Sequence, residues 1–240
     1  MILESLSRKP FSIIGHRGAA GLARENSLKA LEEAVRYRAD IAEFDVQVSR
    51  DGVVVVSHDE TVVTDDGLSI NLRDLFSSEI KRLRVGGESI PTLEEIIEHA
   101  REKIDLFIEI KNPADSERVI EVIRRARFTE NAAIISFHDE AILRAREHGL
   151  VTGLIYYKPP GRIVDCAKMK CSIVLPRHPL ATERAVELAH RLKLKIVAWT
   201  VNDLSTMIEL ARRGVDGIAT DYPNIAYSAR ERLRGESRQI

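Results

Sequence analysis

Two hydrophobic periods alternate along the chain. Short apolar, β-branched runs recur at Phe11–Gly15, Ile41–Val48, Asp105–Ile110, Ala132–Ser136, Val151–Ile155, Cys171–Leu175, Lys195–Val201 and Gly217–Ala219. Between them lie segments with apolar residues three and four apart, the spacing of one helix face. In Ser27–Arg38 that face carries Leu28, Leu31, Ala34 and Val35. Thr92 and Glu95 stand at capping-box spacing behind Pro91, and Gly214 ends a helical run as a C-cap glycine. Eight strand-then-helix units in 240 residues predict an α/β chain folded as a (β/α)8 TIM barrel. An open doubly wound sheet produces the same alternation, but no G-x-G-x-x-G follows the first strand. Val53–Val56 reads as an extra short strand. Residues 59–91, polar from Asp65 onward, read as an elaborated loop after the second strand. No Pro/Gly/Ser-rich linker divides the chain, so 1–240 is expected to form a single domain.

The period-two pattern within the strands says where the charges point. In "IAEFDVQV", Ala42, Phe44, Val46 and Val48 share one face, and Ile41, Glu43, Asp45 and Gln47 the other. The apolar set suits the surrounding helices, so the second set points into the barrel. In the next strand Leu106, Ile108 and Ile110 face outward, and Phe107, Glu109 and Lys111 inward. Uncompensated carboxylates in a barrel interior are costly. Glu43, Asp45 and Glu109 therefore need a cation. Their hard oxygen donors suit Mg2+ or Ca2+, with Mn2+ as a further candidate, better than zinc. A metal-free network in which these acids pair with Lys111 and Arg17 is the structural alternative.

His16 ends the first strand, and His58 ends the "VVVVSHD" run that returns through the turn Arg50-Asp51-Gly52. Two histidines beside an acid cluster are candidates for general acid and general base. Arg17 and Lys111 would clamp an oxyanion such as phosphate. Composition removes competing classes. With 36 basic and 37 acidic residues the net charge is −1, which gives no bulk attraction to nucleic acid or anionic lipid. Cys166 and Cys171 suit neither a disulfide framework nor a zinc site. "MILESLSRKP" lacks a signal core and no apolar run approaches membrane-spanning length, so a soluble, cytoplasmic protein is expected.

Taken together, "HRG…EN…EFD…DG…HD…EIK" resembles the glycerophosphodiester phosphodiesterase family. The likeness continues through "IPTLEEII", "ISF", "AWTVND" and "GVDGIATDYP", covering nearly the whole chain. The resemblance implies a (β/α)8 barrel that hydrolyses small glycerophosphodiesters with a divalent metal. Its catalytic histidines would be His16 and His58, its metal ligands Glu43, Asp45 and Glu109, and its phosphate contacts Arg17 and Lys111. Trp199 matches a family tryptophan, which implies either a wall of the substrate pocket or a plain core aromatic. Glu25 and Asn26 would support the His16 loop, with helix capping by Asn26 or Ser27 as the alternative. Arg24 stands where a proline is usual, and the segment after His58 is shorter and lacks an arginine. His138 and His178 also fall at strand ends on the expected active face, where polar loop roles are the simpler reading.

Two other functions use a similar barrel. A phospholipase C- or D-like enzyme acting on lipid predicts an apolar rim, and the polar Asp65–Glu88 region argues against one. A catalytically inactive binding barrel predicts loss of a histidine or carboxylate from the set, and none is lost.

Overall fold

The computed structural model describes residues 1–237. The strands are β1 (Ser12–Gly15), β2 (Ile41–Val48), β3 (Val54–Val56), β4 (Thr61–Val63), β5 (Ser69–Asn71), β6 (Asp105–Ile110), β7 (Ala132–Ser136), β8 (Val151–Tyr156), β9 (Ile173–Pro176), β10 (Lys195–Ala198) and β11 (Gly217–Thr220). The helices are α1 (Ile2–Ser5), α2 (Leu28–Arg36), α3 (Ser77–Ile80), α4 (Leu93–Ala100), α5 (Ser116–Arg125), α6 (Asp139–Glu147), α7 (Ile163–Lys168), α8 (Glu183–Arg191), α9 (Leu204–Arg213) and α10 (Pro223–Ser237). β1, β2 and β6 to β11 pair in parallel in that order, and β1 pairs with both β2 and β11, so the sheet closes. This is the expected (β/α)8 barrel.

Alternation sorts the core into two layers. Ala42, Phe44, Val46, Leu106, Ile108 and Ile110 pack outward against the helices. Ile14, Ile41, Phe107, Ile135, Ile173 and Val197 fill the interior. Ile2 and Leu6, from α1 and the residue after it, join that interior group. Ser5 Oγ donates to Asp105 Oδ2 at 2.7 Å and fixes the segment to the start of β6. The apolar spacing of four residues was too short to predict this helix, which no isolated peptide of that length would form.

Strand ends differ from expectation where local bonds intervene. β9 starts at Ile173, because the Cys171 N–H still bonds to the Cys166 carbonyl at the end of α7. β10 ends at Ala198, although its pairing with the preceding strand reaches one residue further, where the Trp199 N–H donates to the Pro176 carbonyl in a parallel bridge with Arg177. Both cysteines are buried and unlinked. The predicted caps are present: Thr92 and Glu95 form a capping box on α4, and Gly214 adopts φ +88° after α9. Ser27, rather than Asn26, caps α2 by accepting the Ala30 N–H.

The segment after β2 is more ordered than a loop. β3 runs antiparallel to the outer half of β2. β4 and β5 form a hairpin, and Val55, Val62, Leu72, Ile80 and Ile90 give the excursion its own small apolar cluster. Arg73 holds it to the barrel, pairing with Glu60 at 2.7 Å and with Asp115 in the loop after β6.

The turn after β1 packs without slack. A Cβ on Gly15 would stand 1.9 Å from the Gly18 carbonyl oxygen and 3.2 Å from the Ala34 Cβ. Gly18 has φ +84°, and a Cβ there would lie 2.7 Å from α2 backbone at Ala30. Gly15→Ala is therefore expected to destabilise the fold by more than about 2 kcal/mol, visible as a clear drop in Tm; an unchanged melting curve would show that the turn can relax.

Candidate active site

β1, β2, β3, β6 and β10 deliver the candidate residues to one place. His16, Arg17, Glu43, His58, Glu109, Lys111 and Trp199 line a cavity of about 250 Å3 at the C-terminal mouth of the barrel. Asp45, 1% exposed, lies against it beneath Arg17 and Lys111. Period-two geometry explains the acids: Asp45 and Glu109 sit in register on neighbouring strands, with Glu43 one pleat below Asp45.

Arg17 occupies the left-handed region at φ +49°, an unusual state for a non-glycine residue. Its N–H donates to Glu43 Oε2 at 2.8 Å, which holds the turn. Its guanidinium spans two acids. Nη1 donates to both Glu25 oxygens at 2.9 and 2.8 Å, and Nε stands 3.4 Å from Asp45 Oδ2. Asn26 fastens Asp45 from the other side, donating from Nδ2 to Oδ2 at 3.0 Å and accepting the Asp45 N–H at 3.2 Å. The "ENS" stretch thus divides its work: Glu25 holds Arg17, Asn26 holds Asp45 and Ser27 caps the helix.

Lys111 Nζ lies 2.8 Å from Asp45 Oδ1 and 2.6 Å from Glu109 Oε1. This realises part of the ion-pair alternative, but only part. Three carboxylates face two cations, and Glu43 Oε1 is buried with no partner. Burial, then the charge of Asp45, pushes the Glu43 carboxyl up to about 8. The same two causes raise Glu109 to about 7. Asp45 is held below the usual carboxylate range; burial opposes this, and Lys111, Asn26 and Arg17 outweigh it. One oxygen from each acid lies within 4.8 Å of the others. An orphaned oxygen, excess negative charge and three converging hard donors fit a divalent cation.

The histidines differ. His16 Nδ1 lies 2.7 Å from Asp221 Oδ1. A carboxylate only accepts, so Nδ1 carries the proton and Nε2 is the free lone pair. Burial alone would lower the His16 pKa, but the hydrogen bond to Asp221 and the charges of Glu43 and Asp221 raise it above its ordinary value. Asn202 completes this relay: its Nδ2 donates to Asp221 Oδ2 at 2.6 Å, and its Oδ1 accepts the Asp221 N–H at 3.0 Å. His58 is more open, with a side chain 35% exposed and Nδ1 3.0 Å from the surface carboxylate of Asp59. Gln47, the last inward residue of β2, donates to the His58 carbonyl at 3.1 Å. Asp221 and Asn202 were not singled out from sequence, although both lie inside quoted motifs, "GVDGIATDYP" and "AWTVND". Neither His138 nor His178 lines the cavity.

A closed parallel barrel with histidines, basic residues and converging carboxylates at its C-terminal mouth defines a (β/α)8-barrel hydrolase. Residues 16–225 match the model of the glycerophosphoryl diester phosphodiesterase family. A glycerophosphodiester phosphodiesterase of Caldanaerobacter subterraneus subsp. tengcongensis is 32% identical over 241 residues, covering 88% of this chain and 94% of that protein. The glycerophosphodiester phosphodiesterase structure from Thermotoga maritima superposes with TM-score 0.81 at 28% identity, over 92% of this chain and 98% of its own. An Oleispira antarctica phosphodiesterase, solved with its product sn-glycerol-3-phosphate, gives TM-score 0.83 at 26% identity, over 91% of this chain and 96% of its own. The chain belongs to the glycerophosphoryl diester phosphodiesterase family. No helix among the described residues is long and apolar enough to cross a membrane.

Proposed function

We propose that the protein hydrolyses small glycerophosphodiesters, such as glycerophosphocholine or glycerophosphoethanolamine, to glycerol 3-phosphate and an alcohol. One observation carries this reading: two histidines, two cations and a carboxylate triad line or underlie the same cavity. The family membership and the product held by the Oleispira antarctica relative support it. Glu43, Asp45 and Glu109 would hold Mg2+, Ca2+ or Mn2+, which supplies charge neutralisation for the phosphoryl oxygens when bound.

The chain's own residues account for the rest. Arg17 and Lys111 orient the phosphate and stabilise the charge that develops as the ester bond breaks. His16 is the general base: Asp221 fixes its tautomer, aims Nε2 and stabilises the imidazolium that forms. His58 is the general acid, donating to the leaving alcohol and regaining its proton from water through its exposed side. Trp199 walls the substrate pocket.

Asp221→Asn should lower kcat by about 10²-fold or more with little change in KM, because an amide can donate to Nδ1 and reverse the tautomer. Steady-state kinetics with a circular-dichroism check on folding measure this; a kcat within twofold of wild type would remove Asp221 from the mechanism. The function itself is tested by glycerol 3-phosphate release from a panel of diesters. A diester lacking the glycerol 2-hydroxyl separates the two nucleophiles. It is cleaved if water attacks directly, and resists cleavage if the 2-hydroxyl attacks first to give a cyclic phosphate.

A further inference from the structure

Resting on the phosphodiesterase reading, we infer that the aromatic wall of the active-site cavity selects a quaternary ammonium head group, of which choline is the simplest. The carboxylates come from β2 and β6. Phe107 lines the cavity from β6, beside Glu109, and the other rings stand on the remaining arc of the barrel: Phe137 follows β7, Tyr157 follows β8 and Trp199 follows β10. Phe137 and Trp199 line the same cavity as the phosphate clamp. Their ring centroids are 5.7 Å apart at an interplanar angle of 80°. Tyr157 packs on the other side of Phe137, at 5.8 Å and 78°. Rings at right angles form a corner, where a cation is drawn to ring faces and away from the electropositive edges.

The chemistry of the corner discriminates among head groups. Trp199 Nε1–H is committed to the Leu175 carbonyl at 2.8 Å, so the indole has no donor left for a substrate. The cavity lining on this arc continues with Ile135, Ile155, Leu175 and Ala219, which bring no polar side chain. An ethanolamine ammonium or a glycerol hydroxyl placed here gives up water and gains no hydrogen bond. A trimethylammonium has no N–H to satisfy, presents methyl groups to the wall and is attracted to aromatic faces within about 6 Å. The outermost ring already attracts a cation, since Lys158 Nζ lies 5.0 Å from the Tyr157 centroid. Lys158 therefore competes for the outer end of the wall and repels a second positive charge.

The test compares kcat/KM for three diesters: glycerophosphocholine, glycerophosphoethanolamine and the glycerophosphate ester of 3,3-dimethylbutanol, a neutral isostere of choline. The choline ester should be favoured about tenfold over the isostere, the size of a partly desolvated cation–π attraction, and by more over the ethanolamine ester. Phe137→Leu and Trp199→Leu keep apolar volume but remove ring faces, so the choline-to-isostere ratio should fall toward one in each. The ratio cancels any general loss of activity. Lys158→Ala should raise it. Equal rates on all three esters, or a preference that survives both leucine variants, overturns the inference and leaves the phosphodiesterase reading standing. Failure to hydrolyse any of the three removes that reading, and the inference with it.

Discussion

His16→Ala is expected to leave a folded barrel that releases glycerol 3-phosphate about 10²–10⁴-fold more slowly. His16 follows β1 and fills no core position, so its loss removes the Nε2 lone pair and leaves the packing of the strand alone. His58→Ala should cost a similar factor on natural diesters, for a different reason. The assigned acid matters only while the leaving alcohol needs a proton. A diester with a p-nitrophenolate leaving group departs without one, so it should restore most of the His58→Ala rate and none of the His16→Ala rate. Rescue of His16→Ala instead would exchange the two roles. Near-normal turnover by either variant on glycerophosphocholine would withdraw that residue from catalysis.

The second large effect is the response of the metal-free enzyme to pH. Glu43 at about 8 and Glu109 at about 7 bind protons more tightly in the folded chain than when unfolded. Folded protein therefore carries more protons than unfolded protein between about pH 5 and 8, and stability falls as pH rises through that window. His16, also raised, acts in the same direction. Asp45 and Asp221 are lowered, so their contributions change only under more acidic conditions. The summed loss is on the order of a few kcal/mol, or about 5–10 °C in Tm for a chain of this size. A divalent ion that takes the place of those protons should raise Tm more at pH 8.5 than at pH 5.5, and should bind more tightly at the higher pH. Glu43→Gln should flatten the pH dependence of the metal-free form. Melting curves at the two pH values, with and without EDTA, measure all of this; a metal-free enzyme more stable at pH 8.5 than at pH 5.5 contradicts it.

The barrel was legible because its signals are local and periodic. Strand alternation in "IAEFDVQV" and "LFIEIK" also placed Glu43, Asp45 and Glu109 on the inner face, since the pleat sends successive side chains to opposite faces. What remained hidden depends on contacts across the closed sheet. Asp221 meets His16 only because β11 pairs with β1, and the two residues are 205 positions apart. No period links them. Asn26 was visible as a turn residue, but its grip on Asp45 depends on the left-handed turn at Arg17 and Asn26. Trp199 had two equal readings from sequence. Its position on the cavity wall is set where β10 ends and its indole N–H reaches back to β9. The α1 segment carried too few residues to show a helical period, and its place at the barrel comes from the burial of Ile2 and Leu6 and the Ser5–Asp105 hydrogen bond.

The central proposal is that the cavity at the mouth of the barrel cleaves glycerophosphodiesters with a cation held by Glu43, Asp45 and Glu109. Glycerol 3-phosphate release from glycerophosphocholine, followed through EDTA treatment and then add-back of Mg2+, Ca2+ or Mn2+, tests it most directly. The expected result is release by the wild-type enzyme, loss on chelation, recovery with at least one of the three ions, and no recovery in Glu43→Gln. Undiminished release by the fully chelated enzyme, or full recovery by Glu43→Gln, would contradict it.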